Sequence, residues 1–186
     1  MPNWVDNTLR IKGAKSDLEK VRAQLENGLD EGNFLWNIIH PREEEMADYK
    51  AVIGTNGKNI GDPIGWYEWN TSHWGTKWDG SDISVVQDEE GVCYYFNTAW
   101  SPPTIAMVTL SEQFPEIELS LRFIEEQGWG GECAYKAGEE SVVEEWDIPD
   151  THKDSIKYKG YCWCESVSMS NEESPFDDCP REEIEE

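Results

Sequence analysis

Three groups of residues have the types and spacing to do chemistry. The first is a set of carboxylates. Glu116 and Glu118 stand at i and i+2 of an alternating stretch. On a strand they would share a face roughly 6.6–6.8 Å apart, about two axial steps of DNA, which rises roughly 3.4 Å per phosphate on each strand. Glu125, Glu126, Glu139, Glu140, Glu144 and Glu145 fall on or near the following hairpin. If these strands are neighbours, the eight form a rigid negative field fit for a cationic groove. The plainer reading is a solvated face that aids solubility.

The second group is aromatic. Trp66, Trp69, Trp74, Trp78 and Trp100 cluster around Lys77. They either fill a core beneath an inserted segment or form an exposed cage that stacks a base. Stacking platforms for polymers sit in positive grooves, and Lys77 is the single cation near these rings. A small nucleotide suits them better than a polymer does. The third group is Cys162, Cys164 and Cys179, to which His152 or Cys133 would add a fourth zinc ligand. Cys-x-Cys is not the usual knuckle spacing and the interval to Cys179 is irregular, so free thiols, no metal and no cofactor are expected. His40, His73 and His152 are the only histidines, and no phosphate-binding glycine loop or His-Glu-x-x-His is present. The chain reads as a non-enzyme.

The elements that must position these groups follow from periodicity. Val5, Asn7, Leu9 and Ile11 alternate with Trp4, Asp6, Thr8 and Arg10, a strand ended by Gly13. Ser16 and Glu19 form a capping box for a helix carrying Leu18, Val21 and Leu25. Phe34 to Ile39 is a short buried segment, Arg42 to Ala51 a solvated helix, and residues 54–65 a glycine-rich loop. Trp66 to Trp74 is a short aromatic helix, and the whole insert runs from about 34 to 80. A hairpin follows (Ile83 to Val86, then Val92 to Thr98), then a helix capped by Ser101, then a strand from Ile117 to Phe123. Strand, helix, strand, strand, helix, strand is the ferredoxin-like α+β pattern on an antiparallel sheet. A second hairpin over about 130–146, turning at Ala137-Gly138, would extend the sheet and complete a domain over 1–150. Periodicity fades past Asp150, and residues 151–186 read as an acidic extension.

Composition narrows the function. Among 186 residues, 39 acids face 15 Lys plus Arg, a formal charge of −24. At roughly 100–200 residues per domain, one domain with an appendage is expected. Ten Trp, seven Tyr and five Phe supply the rings for a folded core. Residues 112–186 hold 22 acids and six bases, so the charge is concentrated in the C-terminal part. Such a chain is repelled by free nucleic acid and by anionic membrane, and is drawn to basic protein surfaces. No apolar run approaches the roughly 20 residues that span a bilayer. The first residues have no secretory pattern, and five cysteines are an odd number, as in a reducing cytosol.

Met1-Pro-Asn-Trp-Val-Asp-Asn-Thr-Leu9, Trp74-Gly-Thr-Lys-Trp-Asp79, Thr98-Ala-Trp-Ser-Pro-Pro103 and Ser111-Glu-Gln-Phe-Pro115 resemble the YubB-like proteins of phages and conjugative plasmids over roughly residues 1–135. The resemblance implies a ferredoxin-like domain and a mobile-element protein of the bacterial cytoplasm, and no particular chemistry. The leading expectation is a phage or plasmid accessory protein. It would be a nucleic-acid-mimicking inhibitor whose acidic face enters the basic channel of a host defence protein, such as a CRISPR or restriction effector. The alternatives are a Trp-rich pocket sequestering a nucleotide signal, or a structural accessory role.

Overall fold

Alternation in the first strand is realised with one polar residue on the inner side. β1 (Trp4–Lys12) buries Val5, Leu9 and Ile11 completely, with Asn7 between them. Asn7 Nδ2 shares its two hydrogens among Val5 O, Phe96 O and Thr98 Oγ1, at 2.8, 3.3 and 2.9 Å, while its Oδ1 is buried without a hydrogen-bond partner. The computed structural model describes residues 3–50 and 65–160.

α1 (Lys15–Leu25) lays Leu18, Val21 and Leu25 on the sheet. It begins without the expected capping box: Ala14 is the cap, and Ser16 already lies inside the first turn. The Phe34–Ile39 segment is a run of turns that buries Phe34, Leu35 and Ile38. α2 (Met46–Tyr49) is one turn rather than the longer helix expected over 42–51, and the 54–65 loop lies mostly outside the described residues. α3 (Trp66–His73) is the expected aromatic helix.

β2 (Ser81–Gln87) and β3 (Val92–Ala99) form the first hairpin, α4 (Thr104–Gln113) crosses back, and β4 (Glu118–Glu125) returns beside β1. Ser101 does not cap α4; Pro103 holds that position, and the Ser101 hydroxyl donates to Gly75 O at 2.6 Å. β5 (Gly130–Lys136) and β6 (Glu139–Trp146) make the second hairpin. The sheet order is β2-β3-β1-β4-β5-β6, with every neighbouring pair antiparallel. The first four strands have the ferredoxin-like arrangement, and the hairpin extends it at the β4 edge.

α1 and α4 cover one face, where Leu18, Val21, Leu25, Ala106, Met107 and Leu110 join the inward residues of the sheet in one core. α5 (His152–Lys159) lies on the opposite face, in sequence assigned above to the extension. Thr151 Oγ1 accepts from Asp154 N at its start, and Gly160 closes it with φ 80°. Tyr158 stacks on Trp146 with centroids 4.6 Å apart and planes 5° off parallel, while Arg122 sits over the same indole and donates to Tyr158 O. Gly130 makes this possible, because a Cβ there would come within 2.7 Å of the Trp146 ring.

Candidate ligand pocket

The rings assigned to one cluster divide into two populations. Trp69 and Trp74 are core, 4% and 2% exposed, whereas Trp66, Trp78 and Trp100 are 39%, 37% and 45% exposed. The buried pair anchors the insert. Trp74 Nε1 donates to Ile39 O at 2.9 Å, and Trp69 meets Trp74 and Tyr49 edge-on, with His73 stacked on its other side at 4.2 Å. Tyr49 in turn meets Trp36 edge-on at 5.6 Å. The chain Trp36–Tyr49–Trp69–Trp74 joins the turn segment, α2 and α3 through successive ring contacts.

A pocket of about 360 Å³ opens where these elements meet, walled by Trp36, Tyr49, Trp66, Trp74 and Trp78 and floored by Asn33, Asn70 and Asp79. The two inner polar groups are held differently. Asp79 takes Leu35 N at 2.6 Å, Trp36 N at 3.0 Å and Gly80 N at 2.6 Å, and so clamps the turn segment to the start of β2. Burial pushes its carboxyl up to about 6, against the pull of these amides. No cation pairs with it among the described residues. Asn70 is 3% exposed; its Nδ2 donates to Lys77 O at 2.9 Å, and its Oδ1 has no hydrogen-bond partner. Tyr49, whose phenol burial raises and Asn70 lowers, stands next to that amide without a bond of good geometry to Oδ1.

On the far side of Trp78 lies an exposed aromatic shelf. The Lys77 ammonium is 4.7 Å from the Trp78 centroid and 4.0 Å from that of Trp100. Tyr67 meets Trp100 at 6.2 Å and Trp4 meets Trp78 at 6.0 Å. Trp100 holds φ 74°, a left-handed conformation that costs a non-glycine residue roughly 1–2 kcal/mol. Surrounding bonds enforce it: Trp100 N to Asn3 O, Thr98 Oγ1 to Ser101 O and Thr76 Oγ1 to Ala99 O, each at 2.9 Å.

The acidic residues do not form the expected single face. Glu116 lies in the turn before β4. Glu118 opens β4 and is paired with Lys136 at 2.7 Å. Glu125 is 2% exposed and accepts from Asn3 Nδ2 and Gln127 N, so it closes a strand end rather than facing a partner. Glu126 is exposed, and its carbonyl accepts from Lys159. On β6, Glu139 stands opposite Lys136 and Glu144 opposite Glu132, on the α5 side of the sheet; Glu140 stands opposite Tyr135 and Glu145 opposite Gly131, on the other side. Adjacent residues of a strand must diverge in this way, and a bulge within 142–144 resets the alternation. Glu144 is further paired with Lys157 at 3.0 Å. The α5-side face is a mixed-charge trough of about 510 Å³, where Arg10, Lys12 and Lys136 interleave with Glu118, Glu132 and Glu139.

Cys133 faces the core beside Tyr135, its thiol pushed up by burial, whereas His152 begins α5 across the sheet, so the two do not meet at one metal. Among the described residues no group of three or more His, Cys, Asp and Glu could hold a metal ion. Cys162, Cys164, Cys179 and the acidic segment after residue 160 lie outside the described residues. Among the described residues, no helix is long and apolar enough to cross a membrane.

Residues 73–161 match the family model described as the ferredoxin-like domain in Api92-like protein. The match starts at the end of α3 and runs through α5, which places the second hairpin and α5 inside the matched domain and leaves β1 and α1 before it. The chain is also similar in fold to the crystal structure of a protein api92 from Yersinia pseudotuberculosis, with a TM-score of 0.50 and 11% identity, over 80% of this chain and 99% of that one. No curated protein matches the chain. Trp36, Tyr49, Asn70 and Asp79 are pocket residues that the sequence reading missed. The signal nearest to hand was Asp79, a carboxylate in a Trp-Asp-Gly turn, where a side-chain acceptor for backbone N–H groups is common.

Proposed function

We propose that this protein is a non-enzymatic small-ligand module whose aromatic pocket holds a flat, nucleotide-type ligand. The observation that carries this reading is the Asn70 Oδ1, buried without a hydrogen-bond partner at the floor of a pocket walled by indoles. An orphaned buried acceptor costs about 1–3 kcal/mol, which a ligand donor would recover. Exposed Trp66 and Trp78 give flat surfaces for stacking. The test is intrinsic fluorescence. A nucleoside and nucleoside monophosphate panel should quench the wild-type protein with saturation and quench Trp66→Ala or Trp78→Ala at least tenfold more weakly. Absence of saturable quenching by every ligand would remove this reading.

The acidic-inhibitor reading keeps one specific support. β6 is an edge strand on which exposed Val142 and Val143 are flanked by Glu139, Glu140, Glu144 and Glu145, an apolar centre with a charged rim. The same pattern is also how an edge strand avoids pairing with other chains. Salt-dependent capture from lysate of a nucleic-acid enzyme, lost on charge reversal at these four positions, would favour inhibition. In either case the resemblance to YubB-like proteins supports an accessory role in a phage or plasmid and action in the bacterial cytoplasm.

A further inference from the structure

The buried polar groups of the aromatic pocket present acceptors, and that constrains what can enter. Asn70 Nδ2 donates one of its two N–H groups to Lys77 O, and its buried Oδ1 has no hydrogen-bond partner. Asp79 is acceptor-only when ionised, and no cation neutralises it among the described residues. The Trp74 indole N–H, which could have been a donor to a ligand, is spent on Ile39 O. Trp36, Trp66 and Trp78 add the flat faces of their rings, and each also carries an indole N–H donor. The buried polar groups of the pocket therefore offer an unmet acceptor and a carboxylate beside flat apolar surface.

We infer that this pocket selects a planar guanidine edge, two N–H donors side by side on a flat carbon–nitrogen unit, laid between the indoles with its donors toward the Asn70 and Asp79 oxygens. The inference rests on reading the pocket as a ligand site and names the chemistry of its ligand. Two sources carry this edge: the N1–H and N2–H side of a guanine base, and a guanidinium group. An adenine presents a ring acceptor next to its amino group, so when the amino group donates to Asn70 Oδ1 the ring acceptor faces the Asp79 carboxylate. A simple alkylammonium has the charge without the plane that the indole walls fit. The protein's charge of −24, with Lys77 as the cation on the neighbouring rings, disfavours a polyphosphate. Guanosine or its monophosphate should bind more tightly than the triphosphate.

The test is a fluorescence titration of the unaltered protein at physiological salt with guanosine, inosine, adenosine, agmatine and cadaverine. Guanosine is expected to bind about tenfold or more tightly than adenosine, since a site lacking its matching donor is left unpaired. Inosine, with the N1–H but no N2 amino group, should fall between them. If the guanidinium source is the relevant one, agmatine binds tenfold or more tightly than cadaverine, and the stronger arm names the source. Equal binding of guanosine and adenosine together with equal binding of agmatine and cadaverine overturns the inference while leaving a ligand pocket in place. No saturable binding by any of the five, nor by the wider nucleotide panel, overturns both.

Discussion

The aromatic pocket and the glutamate-rich hairpin differ in how far their polar groups are already satisfied. On the hairpin side, Glu118 has Lys136, Glu144 has Lys157, Ser120 Oγ reaches Glu132, and Arg122 is held between Trp146 and the end of α5. In the pocket, a buried amide oxygen has no partner and a buried carboxylate has amides but no cation. The hairpin carries more charge, of which Glu118 and Glu144 are ion-paired, and its carboxylates are turned to two faces. The Tyr135 hydroxyl is buried there without a hydrogen-bond partner. Unmet hydrogen-bonding capacity, more than density of charged residues, marks where a ligand has something to gain.

The comparison is broken most strongly by deleting a pocket wall that is also core. Trp74→Ala should cost about 3–5 kcal/mol in urea unfolding, as for a large buried ring, because the indole is 2% exposed and bonded to Ile39 O. A loss under about 1 kcal/mol would mean the insert is not tied to the sheet through this residue. Trp146→Ala tests the hairpin end. It should cost about 2–4 kcal/mol and sharply raise amide exchange across 152–159, since Tyr158 and Arg122 both pack on that ring.

Asp79 sharpens the contrast through pH. Its folded value of about 6 lies above the unfolded value of 3.8, so its ionisation opposes folding. The stability it contributes is fully present below about pH 4 and is lost as pH rises through about 6, a change of about 2–3 kcal/mol. The stability difference between wild type and Asp79→Asn should therefore fall between pH 4 and pH 7, and a flat difference would contradict the burial argument. Smallest of all, Glu118→Gln and Glu144→Gln remove exposed ion pairs and should leave the urea midpoint unchanged at physiological salt.

How much of this was legible in the sequence varies by element for physical reasons. Strands with one wet face declare themselves, and β1 and β4 were readable residue by residue from Val5 to Ile11 and Leu119 to Phe123. α5 was not, because it buries Ser155 and no apolar stripe. Its evidence is end chemistry: Thr151 with Asp154 at the start, Lys157 and Lys159 in the last turn, Gly160 beyond. The carboxylate field failed on a rule available beforehand, that neighbours such as Glu139 and Glu140 take opposite faces of a strand. The pocket was half legible. Trp66, Trp74 and Trp78 were visible as a cluster, but Trp36, Tyr49, Asn70 and Asp79 come from four separate stretches that only the tertiary fold brings together.

The most direct test of the ligand-pocket account is the map of tryptophan indole N–H signals in a nitrogen-15 correlation spectrum as guanosine or agmatine is added. The account predicts that the Trp36, Trp66 and Trp78 signals move with a common saturation curve while Trp129 and Trp146 stay in place. Movement confined to Trp129 and Trp146, or no movement at saturating ligand, would contradict it.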